Sequence, residues 1–178
     1  MAFATIGNSA LTGSIDLTSK VTGTLPTANG GTGSTTFSPG KILQVVSATY
    51  STHKSTSSTS FTDTDLTCNI TPSATSSKIL VVISQNMSVN RASSLARGQV
   101  QVVRDSTVIF TPDNWTINMQ QSGTDLAHST MLSFNQLDSP STTSQITYKT
   151  QMKADTSTNI ISCQNGHEST IILMEVGA

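Results

Sequence analysis

Asp113, Asn114 and Trp115 follow Pro112 directly and combine the two surfaces that a saccharide needs. Sugar C–H faces are apolar and stack on an aromatic ring, while the hydroxyls need planar donors and acceptors. The single tryptophan of the chain thus stands beside a carboxylate and an amide. The same ring also suits a second role, as an anchor packing its loop into the core or a subunit interface. Both readings place Trp115 on a loop just past Pro112.

The other residues able to do chemistry form no constellation. His53, His128 and His167 lie far apart and share no ligand spacing. Gly30-Gly31-Thr32-Gly33 lacks the Lys-Ser/Thr ending of a phosphate loop, and a strand follows it where such a loop opens a helix. Asp63-Thr64-Asp65 offers two carboxylates at strand spacing. A calcium site needs several more oxygens, and two acids alone do not make a glycosidase, so the segment reads as a turn. Cys68 and Cys163 sit in strand-like runs and read as buried free thiols. The expectation is a binding or structural protein, with no catalytic residue, no metal and no cofactor.

Strands must position these residues. The chain has 178 residues, only 11% of them charged, and 28 Ser with 30 Thr fill much of the remainder. Threonine favours strands, small hydroxylated residues suit sheet faces and turns, and no heptad pattern is present. Strand-like runs cover residues 42–50, 58–62, 66–70, 78–86, 98–104, 107–110, 129–135, 144–153, 159–163 and 169–176. Lys78 to Asn86 is apolar on both faces and therefore central. Asp105-Ser106, Asp138-Ser139-Pro140-Ser141 and Asn165-Gly166 supply turns, and Arg91 to Arg97 reads as a short helical turn. The pattern predicts an all-β fold, an antiparallel β-sandwich of jelly-roll type over residues 41–178.

Residues 1–40 are different. Their apolar side chains Ile6, Leu11, Ile15, Leu17, Val21 and Leu25 are too sparse for a core, and two Gly-centred units repeat at an offset of ten positions. Such units bury their apolar groups only against copies of themselves or against another protein. These six residues are therefore the candidates for arm packing or partner docking. The arm ends at Asn29, Gly30, Gly31 and Gly33, where positive φ is easily reached and the chain can change direction.

The junction Leu25-Pro26-Thr27-Ala28-Asn29-Gly30-Gly31-Thr32-Gly33-Ser34-Thr35 resembles one common in phage tail fibre and virion appendage proteins. The resemblance extends to Gly40-Lys41-Ile42-Leu43-Gln44-Val45-Val46, to Ile70 through Val81, to Thr147-Tyr148-Lys149 and to Ser169 through Val176. These stretches are similar to a domain found in phages of aquatic bacteria. It implies a homotrimeric virion protein, assembled in the host cytoplasm, whose N-terminal arm docks on tail, baseplate or capsid proteins. The sandwich would face a host-surface glycan or protein. A tail fibre or appendage is the leading expectation, a capsid decoration or head fibre the alternative, and a polysaccharide depolymerase the last.

Charge and hydropathy set further limits. A net charge of -1 gives no basic footprint for nucleic acid, and no apolar run approaches bilayer length. Met1 to Gly7 carries no charged stretch leading into an apolar one, so no secretory signal is expected.

Overall fold

The computed structural model describes residues 42–91, 95–112, 115–120 and 126–177. Arm residues Ile6, Leu11, Ile15, Leu17, Val21 and Leu25, junction residues Asn29, Gly30, Gly31 and Gly33, and Asp113 and Asn114 lie outside the described residues. The strands are β1 (Ile42–Tyr50), β2 (Lys54–Thr56), β3 (Thr62–Ile70), β4 (Lys78–Arg91), β5 (Leu95–Arg104) and β6 (Thr107–Phe110). They continue with β7 (Ile117–Gln120), β8 (Leu126–Asp138), β9 (Ile146–Ala154), β10 (Ile160–Cys163) and β11 (Ser169–Val176).

All described pairings are antiparallel. In the first sheet β4 is central, flanked on one side by β8 and on the other by β11 and then β10. β1 lies beyond β11, and β2 beyond β10. The second sheet runs β3, β9, β5, and then β6 and β7 against successive halves of β5. Three pairs (β1 with β2, β6 with β7, β10 with β11) are therefore single strands interrupted by an excursion. Joined, they leave eight strands in the orders 6-3-8-1 and 2-7-4-5. That is jelly-roll connectivity, as the sequence predicts.

The interruptions have local causes. Pro112 cannot donate to a ladder, so the strand that begins as β6 leaves the edge of β5 and returns as β7. Gln164, Asn165 and Gly166 adopt φ of 61°, 41° and 79°, making the expected Asn165-Gly166 turn between β10 and β11. Gly166 N–H donates to the Ser51 carbonyl at 3.2 Å, which seats that turn beside the break between β1 and β2.

Alternation builds the core. Along β4 the inward residues are Ile79, Val81, Ile83, Gln85, Met87 and Val89, all buried. The first three join a cluster with Leu66, Ile70, Val102, Tyr148, Ile171 and Leu173. Met87 and Val89 join another, with Val100, Ile117, Met152, Ile161 and Cys163. Gln85 sits between the two, level with buried Thr64, Thr150 and Gln164, and donates to Thr64 Oγ1 at 3.1 Å. A polar belt thus divides the sandwich interior. Cys68 belongs to the first cluster and Cys163 to the second, and both are buried free thiols. Burial raises the Cys68 thiol and pushes that of Cys163 up to about 12.

Three local expectations need correction. Asp63-Thr64-Asp65 is no turn between strands but an irregularity inside β3, where three residues from Thr64 to Leu66 face the single Thr150 of β9. Asp65 takes φ 69°, so Thr64 and Leu66 both point inward while Asp65 turns out to Lys54 Nζ at 2.6 Å. Residues 58–61 form no strand, and the pairing falls instead to β2. Arg91 ends β4, and Leu95, Ala96 and Arg97 belong to β5, so the helical reading of this stretch fails. Pairing with β7 overrides local propensity at Leu95, Ala96 and Arg97, and residues 92–94 lie outside the described residues.

Candidate functional site

Outward-facing residues of the second sheet form rows that cross β3, β9 and β5. Asp63 stands opposite Gln151, and Gln151 opposite Gln101. Gln151 Nε2 donates to Asp63 Oδ1 at 2.7 Å, Gln101 Nε2 to Gln151 Oε1 at 2.7 Å, and Thr111 Oγ1 to Gln101 Oε1 at 3.3 Å. Lys149 Nζ closes the row on Asp63 Oδ2 at 2.8 Å. Partial burial opposes the charge of Asp63, but hydrogen bonds from Lys149 and Gln151 overcome it and hold the carboxyl below its usual range. This relay is fully paired side chain to side chain, so it acts as a rigid floor.

The next row is aromatic and cationic. Thr62 pairs with Met152 and Gln99 with Lys153, which brings Phe61 and Lys153 alongside each other. Lys153 Nζ lies 4.7 Å from the Phe61 ring centroid and 5.8 Å from that of Trp115. Arg97 Cζ lies 5.3 Å from the Trp115 centroid. Four side chains therefore alternate as ring, ammonium, ring and guanidinium. Each such contact contributes about 0.5–1 kcal/mol where exposed. Asp155 fixes the far end, accepting from Arg97 Nε at 2.8 Å and lying 2.7 Å from its second terminal nitrogen.

The loop carrying Trp115 is tied down by hydrogen bonds that replace the broken ladder. Val100 N–H, left without a strand partner at the interruption, donates to Thr116 Oγ1 at 2.9 Å. Gln99 Nε2 donates to the Pro112 carbonyl at 2.7 Å. Trp115 is consequently held half-buried, above the sheet and outside the core.

Of the residues proposed from sequence for saccharide contact, the structure describes Trp115 on the expected loop and places it outside both core clusters. Its partners Phe61, Arg97 and Lys153 escaped sequence reasoning. Lys153 and Gln151 did alternate outward in a recognised strand, which was the available signal. Arg97 was hidden by the helical reading of residues 91–97. Among the described residues, no cluster of three or more His, Cys, Asp or Glu side chains is arranged to hold a metal ion.

No protein-family model and no curated protein matches the sequence. Among solved structures, the VP2 subviral particle of infectious bursal disease virus is similar at 14% identity and a TM-score of 0.36. The match covers 76% of this chain and 37% of that one, a distant likeness that defines neither family nor function.

Proposed function

We propose that this chain is a structural protein of a bacteriophage virion, a homotrimeric tail fibre or tail appendage whose jelly roll binds the host surface without catalysis. The observation that carries the reading is the Phe61–Lys153–Trp115–Arg97 stack on the outward face of the second sheet. Aromatic side chains on this face suit the apolar C–H surface of a saccharide, and the flanking amides and hydroxyls suit its oxygens. One weak site of this kind becomes effective when several copies engage one surface, because the second contact forms at high effective concentration. The phage-like junction and the sparse apolar arm support docking through residues 1–40 on another virion protein.

Two experiments test this. Cryo-EM localisation on the intact virion should place the protein at the tail or baseplate; density spread over the capsid lattice would replace receptor binding with shell decoration. Adsorption of phage carrying Trp115→Ala should fall at least tenfold with particle assembly unchanged, whereas wild-type adsorption would rule out this face as the receptor site.

A further inference from the structure

The two outer faces of the sandwich are unlike, and that of the first sheet has a use of its own. Where the second sheet is covered by paired charges, amides and aromatic rings, the first is nearly free of charge. Its outward rows follow from the register. Val45 pairs with Met174, Met174 with Leu80, and Leu80 with Leu137, giving an unbroken apolar row over four strands. Next to it run Ser47, Ile172, Val82 and Asn135, and on the other side Leu43 and Val176 flank Lys78. Leu43, Val45 and Leu137 are exposed by 43%, 56% and 48%. Lys78 is the single ionisable side chain in these rows among the described residues. A contiguous apolar patch ringed by Ser, Thr and Asn marks an interaction surface.

We infer that this face is the contact between copies of the chain, with a second copy as its occupant. This rests on the trimer proposed above and says which surface forms it. Charge supports the assignment first. A face meeting its own copy must not repel itself, and here only Lys78, at the margin, carries charge. The opposite face carries Arg97, Lys149 and Lys153 with Asp63 and Asp155, charges that any such contact would have to desolvate. Position supports it second. The face begins at Ile42, where the preceding 41 residues join the sandwich. Copies meeting here bring their arms out at neighbouring points, which is what the sparse apolar arm residues need to bury one another. Size supports it third. Four strands at about 4.8 Å spacing and seven residues at about 3.3 Å give a footprint of roughly 450 Å². A stable interface takes about 800 Å² from each partner, and a subunit of a trimer makes two, so the face supplies roughly a quarter and leaves the rest to residues 1–41.

The test is sedimentation velocity on the full-length chain. Wild type should run at three times 18.7 kDa. The double variant Val45→Glu/Leu137→Glu, at two exposed positions, should run as a monomer or dissociate at least a hundredfold more readily, with an unchanged β-rich circular dichroism spectrum. Val108→Glu, on the other sheet and similarly exposed at 49%, should leave the mass unchanged. A trimer that survives both glutamates overturns this face as the contact while leaving the trimer itself intact. A wild-type monomer overturns both. If the double variant loses its fold, Leu43→Ser/Val45→Ser takes its place and should still weaken association; full retention of the trimer there also overturns the inference.

Discussion

Replacing Glu175 by Gln isolates one buried charge and the share of acid sensitivity that it sets. Glu175 lies on β11, inward and inaccessible to solvent, at the end of the first core cluster. Its Oε1 accepts from Ser73 N–H at 2.7 Å and Ser73 Oγ at 2.6 Å, and its Oε2 from Gln44 Nε2 at 2.6 Å. Burial opposes its charge, yet the hydrogen bonds from Ser73 and Gln44 hold the carboxyl at about 2, from 4.5 unperturbed. The loop between β3 and β4 is thereby clipped to β1 and β11. Glutamine keeps one acceptor for Ser73 but turns an NH₂ toward the NH₂ of Gln44. That amide cannot simply rotate, because Gln44 Nε2 also donates to the Thr71 carbonyl at 2.7 Å. Losing one charge-assisted bond and weakening two should cost about 2–3 kcal/mol. The sign follows from the depressed pKa. The stabilisation is complete above pH 4.5 and is lost as pH falls toward 2. Urea titrations across this range should show wild type leading by about 1 M in midpoint at pH 6, for a slope of about 2 kcal/mol per M. The two curves should converge near pH 2. A gap that stays constant from pH 6 to pH 2.5, or a variant as stable as wild type at pH 6, would refute the reasoning.

Other consequences are narrower. Gly98 faces inward on β5, and a Cβ there would sit 2.4 Å from Ile161 Cδ1 of the opposite sheet, so Gly98→Ala should destabilise by about 1–3 kcal/mol in thermal unfolding. Tyr148 is buried and its hydroxyl donates to Asp138 Oδ2 at 2.7 Å, joining β9 to β8 with Arg104 on the same carboxylate. Tyr148→Phe should cost about 1–2 kcal/mol, measured by chemical denaturation. Thr116→Val removes the acceptor of the buried Val100 amide, so it should cost about 1–3 kcal/mol in thermal unfolding and raise acrylamide quenching of Trp115 fluorescence.

Much of this fold is legible because burial imposes a period of two. The run from Lys78 reads as central for a physical reason: a strand with neighbours on both edges and neither outer face strongly polar carries apolar residues on both sides. Val100 and Val102 inward, with Gln99 and Gln101 outward, is the same rule in its half-buried form. What stays hidden is whatever depends on a distant partner. Three-residue β2 has no periodicity to detect, and its existence depends on β10, more than a hundred residues later. The acids of Asp63-Thr64-Asp65 look like a turn because the bulge that accommodates them is set by Thr150 across the ladder. The same holds for the candidate site. Trp115 is visible as a lone aromatic beside a proline, but Arg97 of β5 and Lys153 of β9 reach its ring only through strand register, and Phe61, just ahead of β3, meets Lys153 the same way.

The two outer faces are best understood as consequences of one constraint. A sandwich this poor in charge has few ways to keep both outer surfaces wetted; Arg97 with Asp155 and Lys149 with Asp63 pair on the second sheet, while Arg104 of that sheet reaches across to Asp138 at the end of β8. Concentrating charge there lets the first sheet carry valine, leucine, isoleucine and methionine outward, as long as those residues meet something apolar. The cost of such a face in an isolated chain is self-association, which in a trimer is the intended outcome. In the proposed trimer, first sheets turned toward one another would direct each second sheet, and with it the Trp115 loop, away from the axis. The two proposed roles would then place no competing demands on any residue, since no side chain of the apolar row belongs to the aromatic–cation stack. Substitutions at Trp115 or Lys153 should accordingly alter adsorption without altering mass in solution, and those at Val45 or Leu137 should alter mass first. If instead Lys153→Glu dissociated the trimer, the two faces would not be separable and this division of roles would fall.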